Sequence, residues 1–208
     1  MSTDPRRQLA ELFRAVNGEH QMTEADDAYV DVHFSPLEQL CGAHTLDVRQ
    51  VRADMLARRI PLPSYLRSDG AEMIPSCYFE VIDAAGGTSE LHAWFRAQWP
   101  SQAIADTEWA DFLDGHYLCL RQPVPGAMRR KSELVREIKG MLEHPRAEDL
   151  DWLTGLHERV DELDSVEQPF TGFDRLRFGG PTSRETCIDD VRRDFPRPAG
   201  TGLAPSSF

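Results

Sequence analysis

The stretch that decides the fold is SPLEQLCGAHTLDVRQVRADMLARRIPLP, residues 35–63. Its first four residues, SPLE at 35–38, combine an N-cap serine, a proline at the first helical position and a capping-box glutamate. Gly42 is placed to supply the left-handed turn that stops this helix. A second helix is predicted over residues 46–58, and the IPLP segment at 60–63 then forces an extended exit.

The flanking segments predict a small sheet beside these two helices. The acidic TEADD at 23–27 is typical of a surface turn, and AYVDVHF at 28–34 reads as a short strand or an extended lead-in. Farther on, the Ser68-Asp69-Gly70 turn lies between SYLR and MIPSCYFEVI, at 64–67 and 73–82, which predicts a β-hairpin. Helix, tight turn, helix and hairpin make a winged helix-turn-helix.

Beyond Gly86-Gly87 the pattern changes to helices, because apolar residues recur at three-four spacing. The stripes are Leu91, Trp94, Phe95 and Trp99; Trp109, Phe112, Leu113, His116, Tyr117 and Leu120; Leu134, Val135, Ile138, Met141 and Leu142; and Leu153, Leu156, Val160 and Leu163. Thr182 and Glu185 form a capping box that opens a last helix through Asp194. The predicted fold is mainly α.

The predicted organisation has four parts. An N-terminal helix, over residues 5–17 within 1–28, precedes a winged helix-turn-helix-like module with a small β-hairpin over 29–85. An α-helical bundle then covers 88–195, and the last part, 196–208, is predicted to be a disordered tail.

The composition limits the function classes. The chain has 35 acidic and 23 basic residues, and its net charge of −12 repels phosphate backbones and anionic membranes at long range unless a local basic face overrides it. No apolar run is long enough for a membrane span, and the N-terminus lacks the pattern of a signal peptide. We therefore expect a cytoplasmic protein without membrane contact, whose four scattered cysteines are free thiols.

A local basic segment does occur in the predicted second helix and its exit. Residues 46–67 contain five arginines and two aspartates. The candidate DNA-binding residues, expected on the exposed side, are Arg49, Gln50, Arg52 and Arg58. Asp47 and Asp54 share that surface and oppose DNA. The alternative is that the arginines pair with acidic surface, and that the head binds a protein, a peptide or the chain's own C-terminal half.

Two resemblances add to this interpretation. Residues 35–80 resemble the winged DNA-binding head of MerR-type regulators, which implies a regulator with a ligand-sensing or dimerising helical domain. The helix-turn-helix-like start, FLDGHYLCLRQPVP at 112–125 and FDRLRFGGPTSRETCIDDVRRDFP at 173–196 are similar to an uncharacterised actinobacterial family labelled natural product biosynthesis proteins of unknown function. That resemblance implies a secondary-metabolite gene cluster and no known reaction.

Cysteine and histidine occur in two mirrored pairs, Cys41 with His44 and His116 with Cys119. Together they would fill a tetrahedral zinc site, but the pairs are far apart in the chain, and no metal site is predicted. His116 is the candidate catalytic residue, because it falls at the centre of an aromatic stripe where it would act as a general base, a haem ligand or a ligand contact. The alternative is a buried, neutral core histidine.

The closing segment carries several arginines, and Arg184 lies near the first turn of the last predicted helix. The candidate ligand- or anion-binding residues are Arg184, Arg175, Tyr117 and Trp109. The alternative is that the arginines neutralise an acidic bundle. No P-loop, dinucleotide fingerprint or hydrolase motif occurs, so no cofactor or reaction is predicted. Two hypotheses follow: a gene-cluster protein that binds a small molecule or partner protein through its helical half, and a DNA-binding regulator.

Overall fold

A computed structural model describes residues 4–197 of the protein. Helix α1 spans Pro5–Asn17, as predicted, and its ends follow from the sequence. The Asp4 side chain accepts a hydrogen bond from the amide of Arg6 at the start, and Gly18, with φ of 83°, closes the helix.

The segment that follows is helical, so the prediction of a turn at 23–27 and a strand at 28–34 was wrong. Helix α2 spans Glu24–His33. Thr23 and Asp26 form a reciprocal capping box at its N-terminus, with the Thr23 amide 2.9 Å from the Asp26 carboxylate. The acidic residues that looked like a surface turn are therefore the first turn of a helix, where negative charge is stabilised.

The two helices of the decisive stretch are present, with different caps from those predicted. Strand β1 is Ser35–Pro36, helix α3 is Leu37–Ala43 and helix α4 is Val48–Leu56. Ser35 pairs with Ile74 in the sheet, so it does not cap α3, which begins at Pro36 without a side-chain hydrogen bond. Gly42 lies inside α3, and Thr45, with φ of 56°, makes the left-handed turn.

The predicted hairpin is confirmed, but its second strand is shorter than expected. Strands β2 (Tyr65–Leu66) and β3 (Glu72–Ile74) are antiparallel, and β1 completes a three-stranded sheet in the order β1-β3-β2. The strand stops before Pro75, and the chain forms helix α5, Tyr78–Ala84. The residues from Tyr78 onward are therefore helical, contrary to the sequence interpretation.

The remaining chain is helical, as predicted. Its elements are α6 (Leu91–Ala97), α7 (Gln102–Leu113), a 3₁₀ turn (His116–Cys119), α8 (Pro125–Glu143), α9 (Leu150–Val166), α10 (Gly172–Phe178), a π-helical turn (Glu185–Asp189) and α11 (Asp190–Asp194). The predicted capping box forms, with the Thr182 amide 2.8 Å from the Glu185 carboxylate. The helix that this box opens begins at Ser183 and continues through the π-helical turn into α11.

The stripe predicted over residues 109–120 is not one helix, because the chain turns at Gly115. This residue has φ of 73°, and a Cβ there would lie 2.9 Å from the carbonyl oxygen of Pro63. Glycine is therefore required both by backbone conformation and by close approach. The turn separates Trp109 and Phe112 on α7 from His116 and the residues that follow.

The apolar residues form a main core that joins the two halves of the chain. This cluster extends from Leu9 to Met128 and includes residues on both sides of Gly86-Gly87. A second cluster lies between α8, α9, the π-helical turn and α11. Within residues 4–197, no helix has the length and apolar character needed to cross a membrane. Most of the predicted tail, residues 198–208, lies outside the described residues.

Candidate functional site

Arg52, predicted to face outward toward DNA, is instead buried. Its Nε and Nη2 atoms lie 2.8 and 2.9 Å from the two carboxylate oxygens of Glu72, and Nη2 lies 2.8 Å from Glu38. The Arg52 and Glu72 side chains are 8% and 2% exposed. Arg52 lies on the side of α4 that faces the sheet, so the helical phase assigned from the sequence was wrong for this residue.

The other cations near the predicted DNA-binding face are mostly paired with carboxylates. Arg58 forms an ion pair with Asp114 and Arg59 with Asp54. Arg67, in the β2–β3 turn, contacts Asp31 at 2.6 Å and Asp69 at 2.7 Å.

On α4, Gln50 Nε2 donates to Asp54 across 3.2 Å. Among the four candidate DNA-binding residues, Arg49 alone keeps a side chain with no hydrogen bond or ion pair to residues 4–197. Arg52 and Arg58 therefore both pair with carboxylates, as in the alternative weighed for these arginines, but Glu72, the main partner of Arg52, lies in the interior and not on the surface.

The mirrored cysteine-histidine pairs do not meet to form a metal site. Cys41 is buried in the core, whereas the exposed His44 packs its ring 5.2 Å from that of Phe79. Cys119 contacts Lys131, as described below. No cluster of three or more His, Cys, Asp or Glu with metal-binding geometry occurs in residues 4–197.

His116 lies neither in a dry core nor in an aromatic pocket. Its side chain is 32% exposed, Nδ1 lies 3.3 Å from Asp111, and the ring packs edge-on against Phe178 at 5.8 Å. Trp109 packs against Phe95 at 5.2 Å, on the other side of the Gly115 turn, and Tyr117 is half-buried. The structure therefore does not assemble these three predicted residues into one site.

The two candidate anion-binding arginines are each paired with a carboxylate. Arg184 contacts Asp164 at 2.7 Å, and Arg175 contacts Glu185 at 2.7 Å. Burial raises the pKa of Asp164, but hydrogen bonds from Arg192 and Arg184 outweigh burial and leave it below its usual value. These contacts agree with the alternative interpretation, in which the arginines neutralise an acidic bundle.

Sequence reasoning missed a buried polar cluster around Lys131. Its Nζ lies 2.8 Å from Cys119 Sγ and 3.2 Å from Glu167 Oε1, and the Ser183 hydroxyl donates to the same oxygen across 2.5 Å. Glu167 is fully buried, and its Oε2 has no partner among the described residues. A short antiparallel bridge between Leu120 and Glu167 holds the two segments together.

The charges in this cluster do not favour catalysis. Burial lowers the pKa of Lys131, but Cys119 and Glu167 outweigh burial, so the net shift is upward and the ammonium form is favoured. Burial raises the pKa of Cys119, and Lys131 offsets this only in part. A protonated lysine is no base and a protonated thiol is a weak nucleophile, so the cluster is a buried ion pair that links the 3₁₀ turn, α8 and the end of α9.

A surface cleft of about 230 Å³ lies where α5, α6 and the start of α8 meet. Its lining residues are Cys77, Glu80, Val81 and Ala84 from the α5 segment, Trp94 and Gln98 from the α6 segment, and Gln122, Val124, Pro125 and Gly126 before and within α8. These walls are largely apolar and concave. The Glu80, Gln98 and Gln122 side chains form no hydrogen bond or ion pair with residues 4–197, so their polar atoms are available to a ligand.

Cys77 distinguishes this cleft from the rest of the molecule. It is half-buried in the cleft wall, whereas Cys41, Cys119 and Cys187 are buried. Burial raises the pKa of Cys77, with a weak opposing hydrogen bond from its own backbone. Cys77 is thus an accessible thiol whose pKa is not lowered, and its reactivity can report whether the cleft is occupied.

Comparison with known proteins gives one family. A family model described as "Family of unknown function (DUF6058)" matches residues 91–196, just over half of the chain. The matched segment contains the Lys131 cluster and, from the cleft, Trp94, Gln98 and the residues at the start of α8. Neither a curated protein nor a solved structure matches the chain. On the strength of this match, the chain belongs to the DUF6058 family, whose function is unknown.

Proposed function

We propose that this chain is a binding protein that holds a small molecule in the cleft between α5, α6 and α8. The observation that carries the proposal is the combination of apolar walls with polar side chains that have no partner within residues 4–197. Ligand sites in proteins are usually concave and mostly apolar, with few polar groups that orient the ligand. The volume of about 230 Å³ lies just below the ~300 Å³ at which typical ligand pockets begin, so the ligand is expected to be small.

Binding is favoured over catalysis because the reactive side chains are not activated. The pKa of Cys77 is raised by burial, and His116, the candidate catalytic residue, is absent from the cleft lining. A catalytic thiol would need a lowered pKa or an adjacent base. The proposal therefore gives the cleft a recognition role. The functional state is the complex of this chain with a bound small molecule or a partner protein.

A thermal-shift screen against small metabolites tests the proposal. Ala84 is exposed and lines the cleft, so Ala84→Phe fills it, while Ala103→Phe adds the same bulk to an exposed site on α7 outside the cleft. Ligands are expected to raise the melting temperature of the wild type and of Ala103→Phe but not of Ala84→Phe. Stabilisation that persists unchanged in Ala84→Phe would contradict a ligand site in the cleft.

The biological setting is proposed from resemblance. Residues 112–125 and 173–196 are similar to actinobacterial proteins labelled for natural product biosynthesis, which supports a cytoplasmic role in a secondary-metabolite gene cluster. The neighbouring genes test this directly. Biosynthetic enzymes beside the gene would support the assignment, and a conserved unrelated neighbourhood would contradict it.

A second candidate function is a MerR-like DNA-binding regulator, and one observation favours it. The chain runs through α2, β1, α3, α4, β2 and β3 with sheet order β1-β3-β2, the connectivity expected of a winged helix-turn-helix. Against it, carboxylates pair with Arg52, Arg58 and Arg67, and these would have to be displaced by phosphates. We therefore rank it below small-molecule binding.

A gel-shift assay with the DNA upstream of the gene separates the two functions. A regulator would bind this DNA selectively and lose binding in Arg49→Ala, because Arg49 is the unpaired cation on α4. Arg52→Ala is unsuitable because it would disrupt a buried ion pair. Absence of binding at low salt, where electrostatic affinity is strongest, would exclude the regulator.

A further inference from the structure

The charge of the cleft indicates which ligands it accepts. Glu80 is the one charged side chain among the lining residues, and it has no ion-pair partner within residues 4–197. No arginine or lysine lines the cleft. Arg129, near this region, donates to the backbone carbonyl of Gln98 and packs over the Trp99 ring at 5.8 Å. Glu80 is therefore the one side-chain charge that the cleft walls, as described over residues 4–197, present to a ligand, and it favours a cation.

The helix geometry places an aromatic wall in the same cleft. Cys77, Glu80, Val81 and Ala84 follow the three-four spacing of one face at α5, and Trp94 and Gln98 are four residues apart on the α6 segment. Tryptophan is the side chain that attracts cations most strongly through its ring face. A carboxylate and an indole in one apolar cleft are a combination that recognises an ammonium group.

We infer that the ligand of this cleft is a small apolar amine, whose ammonium group pairs with Glu80 and packs against Trp94. This inference rests on the proposed function of the cleft. The side-chain oxygens of Gln98 and Gln122 supply additional acceptors for the ammonium N–H groups. Helix α8 begins at the same cleft without a side-chain cap. Because Pro125 has no N–H, the amides of Gly126 and Ala127 are the ones that donate to an oxygen on the ligand body, such as a hydroxyl or carbonyl group.

Three compounds of nearly equal size and different charge test this inference: 2-phenylethylamine, 2-phenylethanol and phenylacetate. Isothermal titration calorimetry on the full chain measures their affinities for the wild type. We expect the amine to bind at least about fivefold more tightly than the alcohol, which corresponds to an exposed ion pair of about 1 kcal/mol. Phenylacetate as the tightest ligand would place an anion at the start of α8 and overturn the inference.

Variants at Glu80 assign the preference to its carboxylate. Glu80→Gln is expected to remove the advantage of the amine while leaving the affinity for the alcohol unchanged. Asp83→Asn, at an exposed position of α5 outside the cleft, removes the same charge and is expected to retain the preference. Equal losses in the two variants would show a general charge effect and contradict a specific contact with Glu80.

The screen for the proposed function separates failure of the inference from failure of the site. A library with matched amines, alcohols and acids is expected to give amines as the stabilising compounds. Stabilising compounds without any preference for positive charge, lost in Ala84→Phe, would keep the binding function and overturn the ligand class. No stabilising compound at all would overturn both. A homodimer that dissociates in Ala84→Phe, seen by light scattering, would assign the cleft to a second copy instead.

Discussion

Arg52 and Glu72 form a bidentate ion pair in the protein interior, with the two guanidinium–carboxylate contacts at 2.8 and 2.9 Å. The pair joins α4 to β3 of the small sheet. Arg52, a charged residue on the predicted recognition helix, is therefore buried, and its ion pair holds the helix against the sheet. The basic character of residues 46–67 arises in part from this structural role.

Removal of Arg52 is expected to be strongly destabilising. Arg52→Ala leaves the Glu72 side chain buried without its partner, and breaking a buried pair in this way costs about 3–5 kcal/mol. Urea denaturation measures the change in the free energy of unfolding. Arg49→Ala, on the exposed surface of the same helix, is expected to change it by less than about 0.5 kcal/mol. Equal effects of the two variants would contradict the buried pair.

The Lys131–Glu167 pair is expected to behave in the same way in the helical half. Lys131→Met leaves the fully buried Glu167 side chain without its cationic partner, with an expected loss of about 3–5 kcal/mol in the free energy of unfolding. The double variant Lys131→Met/Glu167→Met is expected to recover most of this loss. Lys139→Met, at an exposed position of the same helix, serves as the control, and a double variant less stable than Lys131→Met would contradict the account.

His157 is expected to make stability depend on pH in the weakly acidic range. Its ring is buried, with Nε2 2.8 Å from the Phe195 carbonyl oxygen, and burial lowers its pKa below the ordinary 6.5 despite this hydrogen bond. The unfolded chain then binds a proton at a higher pH than the folded protein does, so the free energy of unfolding falls as pH decreases below 6.5 toward the folded-state pKa.

Thermal denaturation between neutral pH and pH 5 measures this dependence. His157→Gln keeps a donor for the Phe195 carbonyl but does not titrate, so its stability is expected to fall less steeply with acidification. His144→Gln, at an exposed position, is expected to follow the wild type. A His157→Gln curve parallel to that of the wild type would rule out His157 as the source.

His116→Ala is expected to have a small effect on stability. The side chain is 32% exposed and its contact with Asp111 is on the surface, where such pairs contribute about 0–1 kcal/mol. The melting temperature should therefore change little, and ligand stabilisation in the cleft should be retained because His116 does not line it. A fall of several degrees in the melting temperature, or a loss of ligand stabilisation, would contradict the description of His116 as a surface residue outside the cleft.

The sequence predicted those elements that local signals specify. The α1 cap at Gly18, the hairpin turn at Gly70 and the capping box of Thr182 and Glu185 each depend on residues a few positions apart. The same kind of signal misled at Tyr29, Val30 and Val32, where β-branched and aromatic residues suggested a strand. The Thr23–Asp26 capping box and tertiary packing of Val30 in the core prevailed.

The candidate site could be predicted only in part from the sequence, because its contacts join segments that are far apart in the chain. Lys131 carries a usable signal, since it falls on the apolar stripe of α8 between Met128 and Leu134, both buried. Its partners Cys119 and Glu167 lie on other elements, and no pattern in the sequence specifies that pairing. The cleft requires α5, α6 and the start of α8 to be placed together, which local periodicity does not determine.

The most direct test of the central claim is the alkylation of Cys77 in the presence and absence of a stabilising amine. Cys77 lines the cleft and is the partly exposed thiol, while the other three are buried. Peptide-level mass spectrometry after brief treatment with a maleimide gives the rate of labelling at each cysteine. A ligand in the cleft is expected to slow labelling of Cys77 in the wild type. An unchanged rate at Cys77 under conditions where the ligand is bound would contradict the proposed site.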